Sequence, residues 1–298
     1  MKDMRKLPKV KRGDKVAILW PSFAAPGKWP QVYKLGLTRV REVFGLEPVE
    51  FPTTKKIGAS ADERAKDLID AFTNPDIKAV ITSLGGDNQV TYIKNLPSRP
   101  FIENPKPFFG YSDNSHFCNF LFLNGIPSYY GASLLKTRRT YWPNEGWHWD
   151  GSQSAKGLLW GGCIESVDEM LRHGVSIPTR EQFADIVLML ESSEEIPPAN
   201  YVRRVLRALG ERGILRQVKG ILVGRPKAWE FDKQNTPEEK EVYRATQRKT
   251  VLKTVCAYNP DIPVVQNLDF GHTDPHVPMP YGGKVRIDPS EKRIFADF

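Results

Sequence analysis

Ser112 is the residue best placed by its neighbours to act as a nucleophile. It lies in Gly110-Tyr111-Ser112-Asp113-Asn114, between a short apolar run and an apolar helical run. A serine on a tight strand-to-helix turn projects its hydroxyl above the sheet, next to a helix N-terminus that stabilises developing negative charge. The usual motif of such a turn is GxSxG, and here Asn114 stands in place of the last glycine, so the motif is only half matched. The alternative is that Ser112 or Asp113 simply caps the helix.

Two glycines, Gly85 and Gly86, follow another apolar run and precede Asp87. Glycines let backbone N–H groups approach a ligand closely, as an oxyanion hole requires. The alternative is an ordinary turn between a strand and a helix. Neither GxxxxGK[ST] nor GxGxxG occurs nearby, so the pair does not indicate a phosphate-binding loop.

A candidate base and a candidate acid occur in the second half of the chain. His272 follows Phe270-Gly271 after a strand-like stretch, where an imidazole can act as a general base near neutral pH. Glu191 follows the apolar run IVLML, where a carboxylate can orient an imidazole. The alternatives are a structural or solvated histidine, and a solvated acidic turn from Glu191 to Glu195. His276 is close to His272, but their spacing is a poor zinc pattern.

Four of the seven tryptophans fall between positions 142 and 160. Trp142, Trp147 and Trp149 lie in a polar stretch without periodicity, and Trp160 follows it. Such rings can stack on a substrate, or they can pack between domains.

These candidates need elements that place them at one edge of a sheet. The first 130 residues alternate strand and helix patterns, which predicts a parallel sheet covered by helices. In such sheets ligands collect at the carboxyl ends of the strands, where Gly85 and Ser112 are expected. The predicted strands are Lys15–Trp20, Lys78–Leu84 and Pro107–Tyr111, and the predicted helices are Gln31–Phe44, Ala61–Phe72 and Ser115–Leu123.

The chain is predicted to be α/β with two domains. Residues 1–135 form a flavodoxin-like or Rossmann-like parallel layer carrying Ser112, and 136–160 are a tryptophan-rich linker or substrate loop. Residues 161–298 form a second α/β domain with its own small sheet, carrying Glu191 and His272. Its predicted strands are Ile186–Leu190, Val218–Val223 and one from Pro263, and its predicted helices are Tyr201–Arg212 and Pro237–Tyr258.

Composition argues against a disordered or fibrous chain and against a helical membrane protein. The 298 residues are 40% hydrophobic and 26% charged, a globular balance, and no apolar run approaches the ~20 residues of a membrane span. The three cysteines, Cys118, Cys163 and Cys256, show no CxxC spacing, which predicts neither disulfides nor a metal site and fits a reducing cytoplasm. The N-terminal segment has no apolar signal-peptide core.

The net charge of +8 raises the question of nucleic acid. Residues 1–16 hold seven Lys/Arg and two Asp/Glu, so +5 of the +8 lies on one terminal segment. A phosphate-binding surface should instead follow a folded face with interleaved aromatics. Nucleic-acid binding is therefore not predicted.

The order of the motifs resembles one family. GG after a strand, GYSD, GG after Leu159-Trp160, LE with a nearby Glu, FGH and a late Gly-Gly are similar to the serine peptidases that comprise LD-carboxypeptidases and microcin C self-immunity hydrolases. The resemblance implies a metal-free, cofactor-free Ser–His–Glu triad of Ser112, His272 and Glu191, in a cleft between two domains. It also implies oxyanion donors at the backbone N–H groups of Gly86 and Asp113.

The resemblance leaves the substrate open. Trp147 and Trp149 look more like the immunity-type branch, which implies a peptidyl or aminoacyl nucleotide in contact with Gly85, Trp147 and Trp149. The alternatives are an LD-carboxypeptidase acting on muropeptide tetrapeptides, and a catalytically silent binding module. Three departures bear on the pocket: Cys163-Ile164 after the Gly-Gly, Ser192 after Glu191, and a short segment before Gly161. A homodimer is implied by resemblance alone.

Overall fold

The computed structural model describes residues 4–22, 25–131, 146–230, 234–274 and 276–298. These residues fall into two compact units. The amino-terminal unit lies within Lys2–Arg139 and Glu169–Ile177, and the carboxy-terminal unit within Thr140–Asp168 and Pro178–Phe298. Each unit carries most of the strands of one β-sheet.

The amino-terminal unit is built on a parallel sheet. Its elements are β1 Lys15–Leu19, α1 Ala25–Lys28, α2 Pro30–Glu42, β2 Glu47–Glu50, α3 Ala61–Thr73, β3 Ile77–Thr82, α4 Arg99–Glu103, β4 Phe108–Gly110, α5 Ser115–Leu123 and β5 Ser128–Tyr130. The strands lie in the order β5-β4-β3-β1-β2, and every neighbouring pair is parallel. The predicted parallel α/β layer is confirmed.

Apolar strands and a phenylalanine cluster form the core of this unit. Four of the five residues of β1 (KVAIL) are buried. The rings of Phe72, Phe101, Phe108 and Phe117 meet edge to face, with centroids 4.7 to 5.7 Å apart. Such pairs add stabilisation beyond their buried area. Because α5 supplies Phe117, this packing anchors the helix that follows Ser112.

The carboxy-terminal unit contains a seven-stranded sheet. Its elements are β6 His148–Asp150, β7 Ala155–Cys163, α6 Ile164–Arg172 (grouped with the other unit from Glu169), β8 Ile186–Glu191, α7 Ala199–Glu211, β9 Gly220–Gly224, α8 Pro237–Cys256, β10 Val264–Leu268, β11 Met279–Tyr281, β12 Lys284–Asp288 and β13 Arg293–Ala296. The seven strands of the sheet lie in the order β13-β12-β7-β8-β9-β10-β6, and β11 is not one of them. The four central strands are parallel, and β6, β12 and β13 add antiparallel edges.

The prediction of a long loop over 136–160 is wrong where the segment is described. Residues 148–150 form the edge strand β6, and residues 155–163 form the long strand β7, a member of the carboxy-terminal sheet. Glycines in KGLLWGGC hid this strand from a reading based on apolar runs. At Gly157 a Cβ would lie 2.6 Å from the carbonyl oxygen of Asp185, so a side chain there would not fit beside β8. Residues 136–145, with Trp142, lie outside the described ranges.

Within the described ranges, no helix is both long enough and apolar enough to cross a bilayer.

Candidate active site

Ser112 occupies a strained turn between β4 and α5. The strand ends at Gly110, residues Ser112–Asn114 make one turn of 3₁₀ helix, and α5 begins at Ser115. Its φ is +63°, a left-handed conformation that costs a residue with a Cβ of order 1–3 kcal/mol. The N-cap of α5 is Asn114, so the alternative in which Ser112 or Asp113 caps this helix is wrong.

The loop after β3 packs directly against the Ser112 side chain. A Cβ built on Gly85 would lie 2.5 Å from the Ser112 Cβ and 2.7 Å from its Oγ. It would also lie 3.3 Å from the backbone nitrogen of Asp113. Only glycine therefore fits at position 85. Gly86, next to it, has a φ of +154°.

Asp113 and Tyr130 make the hydrogen bonds that fix the turn at Ser112. The buried Asp113 carboxylate accepts hydrogen bonds from the backbone N–H groups of Asn88 and Gln89, at 3.1 and 3.0 Å. Burial raises the pKa of Asp113, against the charge of nearby His116, which lowers it. The hydroxyl of Tyr130, at the end of β5, accepts a 3.2 Å bond from the Ser112 N–H. Sequence reasoning missed Tyr130, whose only signal was its place at a short strand's end.

Glu191 and His272 are in direct contact within the carboxy-terminal unit. Nδ1 of His272 lies 2.7 Å from Oε2 of Glu191, and the backbone N–H of His272 donates to the same oxygen at 3.2 Å. Both side chains are almost fully buried. Glu191 is thus not part of a solvated turn, and His272 is not a solvated histidine. The geometry fixes the ring so that Nδ1 faces the carboxylate.

A glycine makes this contact possible. Gly271 has a φ of +83°, and a Cβ there would lie 2.5 Å from the Glu191 Oε2. Any side chain at position 271 would push the carboxylate away from His272.

Arg225 braces the segment that carries His272. Arg225 follows β9 and is buried, and its guanidinium donates to Thr273 Oγ1 at 2.9 Å and Asp269 Oδ1 at 2.9 Å. It also donates to the carbonyl oxygen of Asp274 at 2.8 Å. Bonds on both sides of His272 fix that segment. A lone arginine after an apolar strand gave no sequence signal for this role.

Glu194 is the second carboxylate on the His272 ring. Its Oε2 lies 3.0 Å from Nε2 of His272, and its side chain is 31% exposed. Burial would lower the pKa of His272, but the charge and hydrogen bond of Glu191 and those of Glu194 raise it to about 9. Burial likewise would raise the pKa of Glu194, but the hydrogen bond and charge of His272 lower it to about 2. Sequence reasoning treated Glu194 only as part of an acidic turn.

The turn that carries Glu194 is itself anchored. Ser193 donates through its N–H and its hydroxyl to Oε1 of Glu165, at 3.1 and 2.6 Å. The Cys163 thiol donates to the other oxygen of Glu165 at 3.1 Å. Burial raises the pKa of Cys163 well above its usual range, so the thiol stays neutral. Cys163, one departure from the expected motif, and Ser193, the neighbour of the departure at Ser192, are thus linked through Glu165.

Two groups of side chains bring metal-ligand atoms within 4.8 Å of one another, Cys163-Glu191-His272 and Asp113-His116-Glu169. In the first, His272 and Cys163 are already hydrogen bonded to carboxylates. In the second, Nε2 of His116 lies 3.1 Å from Oε2 of Glu169. Internal hydrogen bonds account for both groups, and metal-free chemistry stays a prediction.

Trp147 and Trp149 lie side by side at the edge strand β6. Their ring centroids are 6.2 Å apart, and Trp147 is 38% exposed. Trp149 pairs with Val265 of β10 in the sheet. The pair therefore offers a partly exposed aromatic surface on the carboxy-terminal unit.

Comparison with known proteins places both halves of the chain in one family. Residues 16–131 match the LD-carboxypeptidase N-terminal domain, and residues 156–287 match the LD-carboxypeptidase C-terminal domain. A Treponema pallidum protein named as a carboxypeptidase is 26% identical over 275 residues, covering 79% of this chain and 77% of that one. The Escherichia coli microcin C7 self-immunity protein MccF is 22% identical over 281 residues, covering 78% and 77%.

Solved structures share the fold. An MccF-like protein from Streptococcus pneumoniae, solved in complex with AMP, has a TM-score of 0.80 at 23% identity, covering 96% of this chain and 99% of that one. MccF in complex with glutamyl sulfamoyl guanosine has a TM-score of 0.80 at 18% identity, covering 98% of both chains.

Proposed function

The chain belongs to the LD-carboxypeptidase family of serine peptidases, and we propose that it hydrolyses an amide bond in a peptidyl or aminoacyl nucleotide. In this proposal Ser112 is the nucleophile and His272 is the general base. Glu191 is the carboxylate that orients the His272 ring. The observation that carries the proposal is the buried 2.7 Å contact between Nδ1 of His272 and Glu191. That contact leaves Nε2 as the atom that exchanges protons.

The reaction follows from these roles. Ser112 Oγ attacks the amide carbonyl carbon while its proton passes to Nε2 of His272. The leaving amine takes that proton as the C–N bond breaks, which leaves an acyl-serine. The same imidazole then takes a proton from a water molecule as the water oxygen attacks the ester carbon. The imidazolium returns that proton to Ser112 Oγ as the C–O bond breaks and the acid is released. Glu191 stabilises the imidazolium formed in each half-reaction.

Backbone N–H groups of Gly86 and Asp113 are the proposed donors to the tetrahedral oxyanion. The close packing of Gly85 on Ser112 and the nearness of Asp113 N to Gly85 support this assignment. Losing one such donor costs ~10²–10³ in rate in comparable sites. No cofactor enters the proposed reaction.

The tryptophan pair supports a nucleotide substrate. Base–aromatic stacking is worth about 1–3 kcal/mol per base, and Trp147 presents a partly exposed ring. The structural neighbours point the same way, since MccF was solved with aspartyl sulfamoyl adenosine and with glutamyl sulfamoyl guanosine.

The second candidate substrate is an LD-peptide such as a muropeptide tetrapeptide. Relatives named as carboxypeptidases favour it, among them the Treponema pallidum protein and a Bacillus subtilis protein named for murein peptides. Gly85 would contact either substrate. The homodimer implied by the sequence resemblance and the cytoplasmic location favoured by the cysteine pattern stay predictions.

The proposal is tested with purified protein and both substrates. An aminoacyl sulfamoyl nucleotide and an LD-tetrapeptide are incubated separately, and product masses are followed. We expect amide cleavage of the nucleotide, and at least ~10³-fold slower cleavage with Ser112→Ala or His272→Gln.

The matched controls are Ser98→Ala and His173→Gln, two exposed positions expected to keep full activity. Cleavage of the tetrapeptide alone would move the assignment to the second candidate. Full activity of Ser112→Ala would remove the nucleophile, and absence of a covalent adduct with a fluorophosphonate probe would indicate a binding module.

A further inference from the structure

Both ring nitrogens of His272 are held by carboxylates. Nδ1 lies 2.7 Å from Glu191 and Nε2 lies 3.0 Å from Glu194. An ionised carboxylate can only accept hydrogen bonds, so each nitrogen must carry a proton to make its bond. The ring in this arrangement is therefore an imidazolium, with no lone pair.

An imidazolium cannot take a proton from a serine hydroxyl. Resting on the proposed function, in which Nε2 is the basic atom, we propose that Glu194 is a latch on His272. In the resting enzyme Glu194 holds the ring in its non-basic form, and the substrate must withdraw Glu194 from Nε2 before the first step. Glu194 is thus a positioning residue that sets how much of the enzyme is ready to react.

The two carboxylates differ in their freedom to move. Glu191 is 1% exposed, ends strand β8 and accepts two bonds from His272. Glu194 is 31% exposed and lies on the turn beyond that strand. Because Ser193 is anchored to Glu165, the turn stays in place while the Glu194 side chain alone rotates. Glu191 therefore orients the His272 ring, and Glu194 keeps its Nε2 protonated.

The carboxylates of Glu191 and Glu194 favour the protonated form of the His272 ring. Two carboxylates contact the ring, and the surrounding charged or titratable groups come from β7, α6 and the segments after β9 and β10. They are Cys163, Glu165, Arg225, Lys227, Asp269 and His276.

Only Lys227 among these stabilises the charged form of Glu194 from outside the ring. Its ammonium lies 3.9 Å from the ring centre of Trp229 and its residue is buried. Arg225 is committed to Asp269 and to the loop that carries His272. Lys227 therefore helps to keep the Glu194 carboxylate ionised where it contacts Nε2 of His272.

NMR titration of the His272 ring tests the latch without any substrate. In the wild-type protein we expect a midpoint near pH 9, and in Glu194→Gln a midpoint at least one pH unit lower. The control is Glu195→Gln, which removes a neighbouring exposed carboxylate and is expected to leave the midpoint in place. An unchanged midpoint in both Glu194→Gln and Glu194→Ala would overturn the proposal.

The rate of Ser112 labelling by a fluorophosphonate probe tests the consequence. A midpoint of pH 9 leaves about 1% of His272 neutral at pH 7, and a midpoint of pH 8 leaves about 10%. We therefore expect about tenfold faster labelling of Glu194→Gln at pH 7, with the acid limb of the pH profile moved down. A shifted midpoint with unchanged labelling would also overturn the latch. If neither substrate is cleaved but both shifts occur, the substrate assignment fails and the latch stands.

Discussion

The Ser112 turn depends on the absence of a side chain at Gly85. Gly85 Cα approaches Ser112 so closely that an added methyl carbon would fall 2.7 Å from Oγ. Ser112 is already in a strained conformation, with a φ of +63°, so the turn has little room to adjust. The serine hydroxyl is held in position by contact with a bare backbone.

Gly85→Ala is therefore expected to displace Ser112 without unfolding the protein. A shift of about 1 Å at a reacting atom costs on the order of 10²-fold in rate, so we expect kcat/KM to fall by about that factor. The measurement is steady-state hydrolysis of the substrate identified above, with circular dichroism to confirm folding. Gly58→Ala is the control: a Cβ there meets no atom within 4 Å, but the φ of +75° strains an alanine, so circular dichroism must show that this variant is folded too. Equal activity of both variants would show that the contact does not position Ser112.

At the scale of elements, strand ends carry the functional side chains. Glu191 is the last residue of β8, Arg225 follows β9, and His272 lies four residues beyond β10. Since these strands are parallel neighbours, their carboxyl ends lie at one edge of the sheet. The sheet therefore fixes Glu191 directly, whereas His272 depends on its loop and on Arg225.

Arg225→Lys should loosen that loop while keeping the charge. Lysine lacks the planar fork that bonds Thr273 and Asp269 together, and each charge-assisted bond is worth about 1.5–3 kcal/mol. We expect kcat to fall at least about tenfold with a smaller change in KM, and a lower midpoint of thermal unfolding. Arg216→Lys, whose guanidinium lies over the Tyr258 ring, is the control. Unchanged kcat would show that other contacts position His272.

The sequence predicted the strands that are apolar runs and missed those that are not. KVAIL and IVLML read as buried strands, and Ser60 with Glu63 caps the helix predicted from Ala61. The strand of residues 155–163 was hidden by glycines that let it pack against β8. The pairing of Glu191 with His272 was expected from resemblance, because no local pattern reports a contact between residues 81 positions apart. Glu194 was missed because its role depends on the direction of one side chain.

The raised pKa of His272 makes the stability of the folded protein depend on pH. Its pKa rises from 6.5 in the unfolded chain to about 9 in the folded protein. A raised histidine pKa stabilises the fold fully below the unfolded value of 6.5 and loses that stabilisation as the pH rises through 9. The full difference corresponds to about 3 kcal/mol, since one pKa unit equals about 1.4 kcal/mol. The wild-type protein should therefore lose stability between about pH 6 and pH 9.

Urea unfolding followed by tryptophan fluorescence at about pH 6, 7 and 8 measures this loss. Trp147, Trp149, Trp160 and Trp229 lie in the unit that contains His272, whereas Trp20 and Trp29 lie in the other unit, so the signal reports the unfolding of both units. We expect the free energy of unfolding to fall by roughly 2 kcal/mol across this range in the wild-type protein and by much less in His272→Gln. Other groups with shifted pKa, such as Lys106, are present in both proteins and cancel in the difference. Parallel pH dependences in the two proteins would mean that His272 is not held as a cation in the folded state, which would remove the basis for the latch as well.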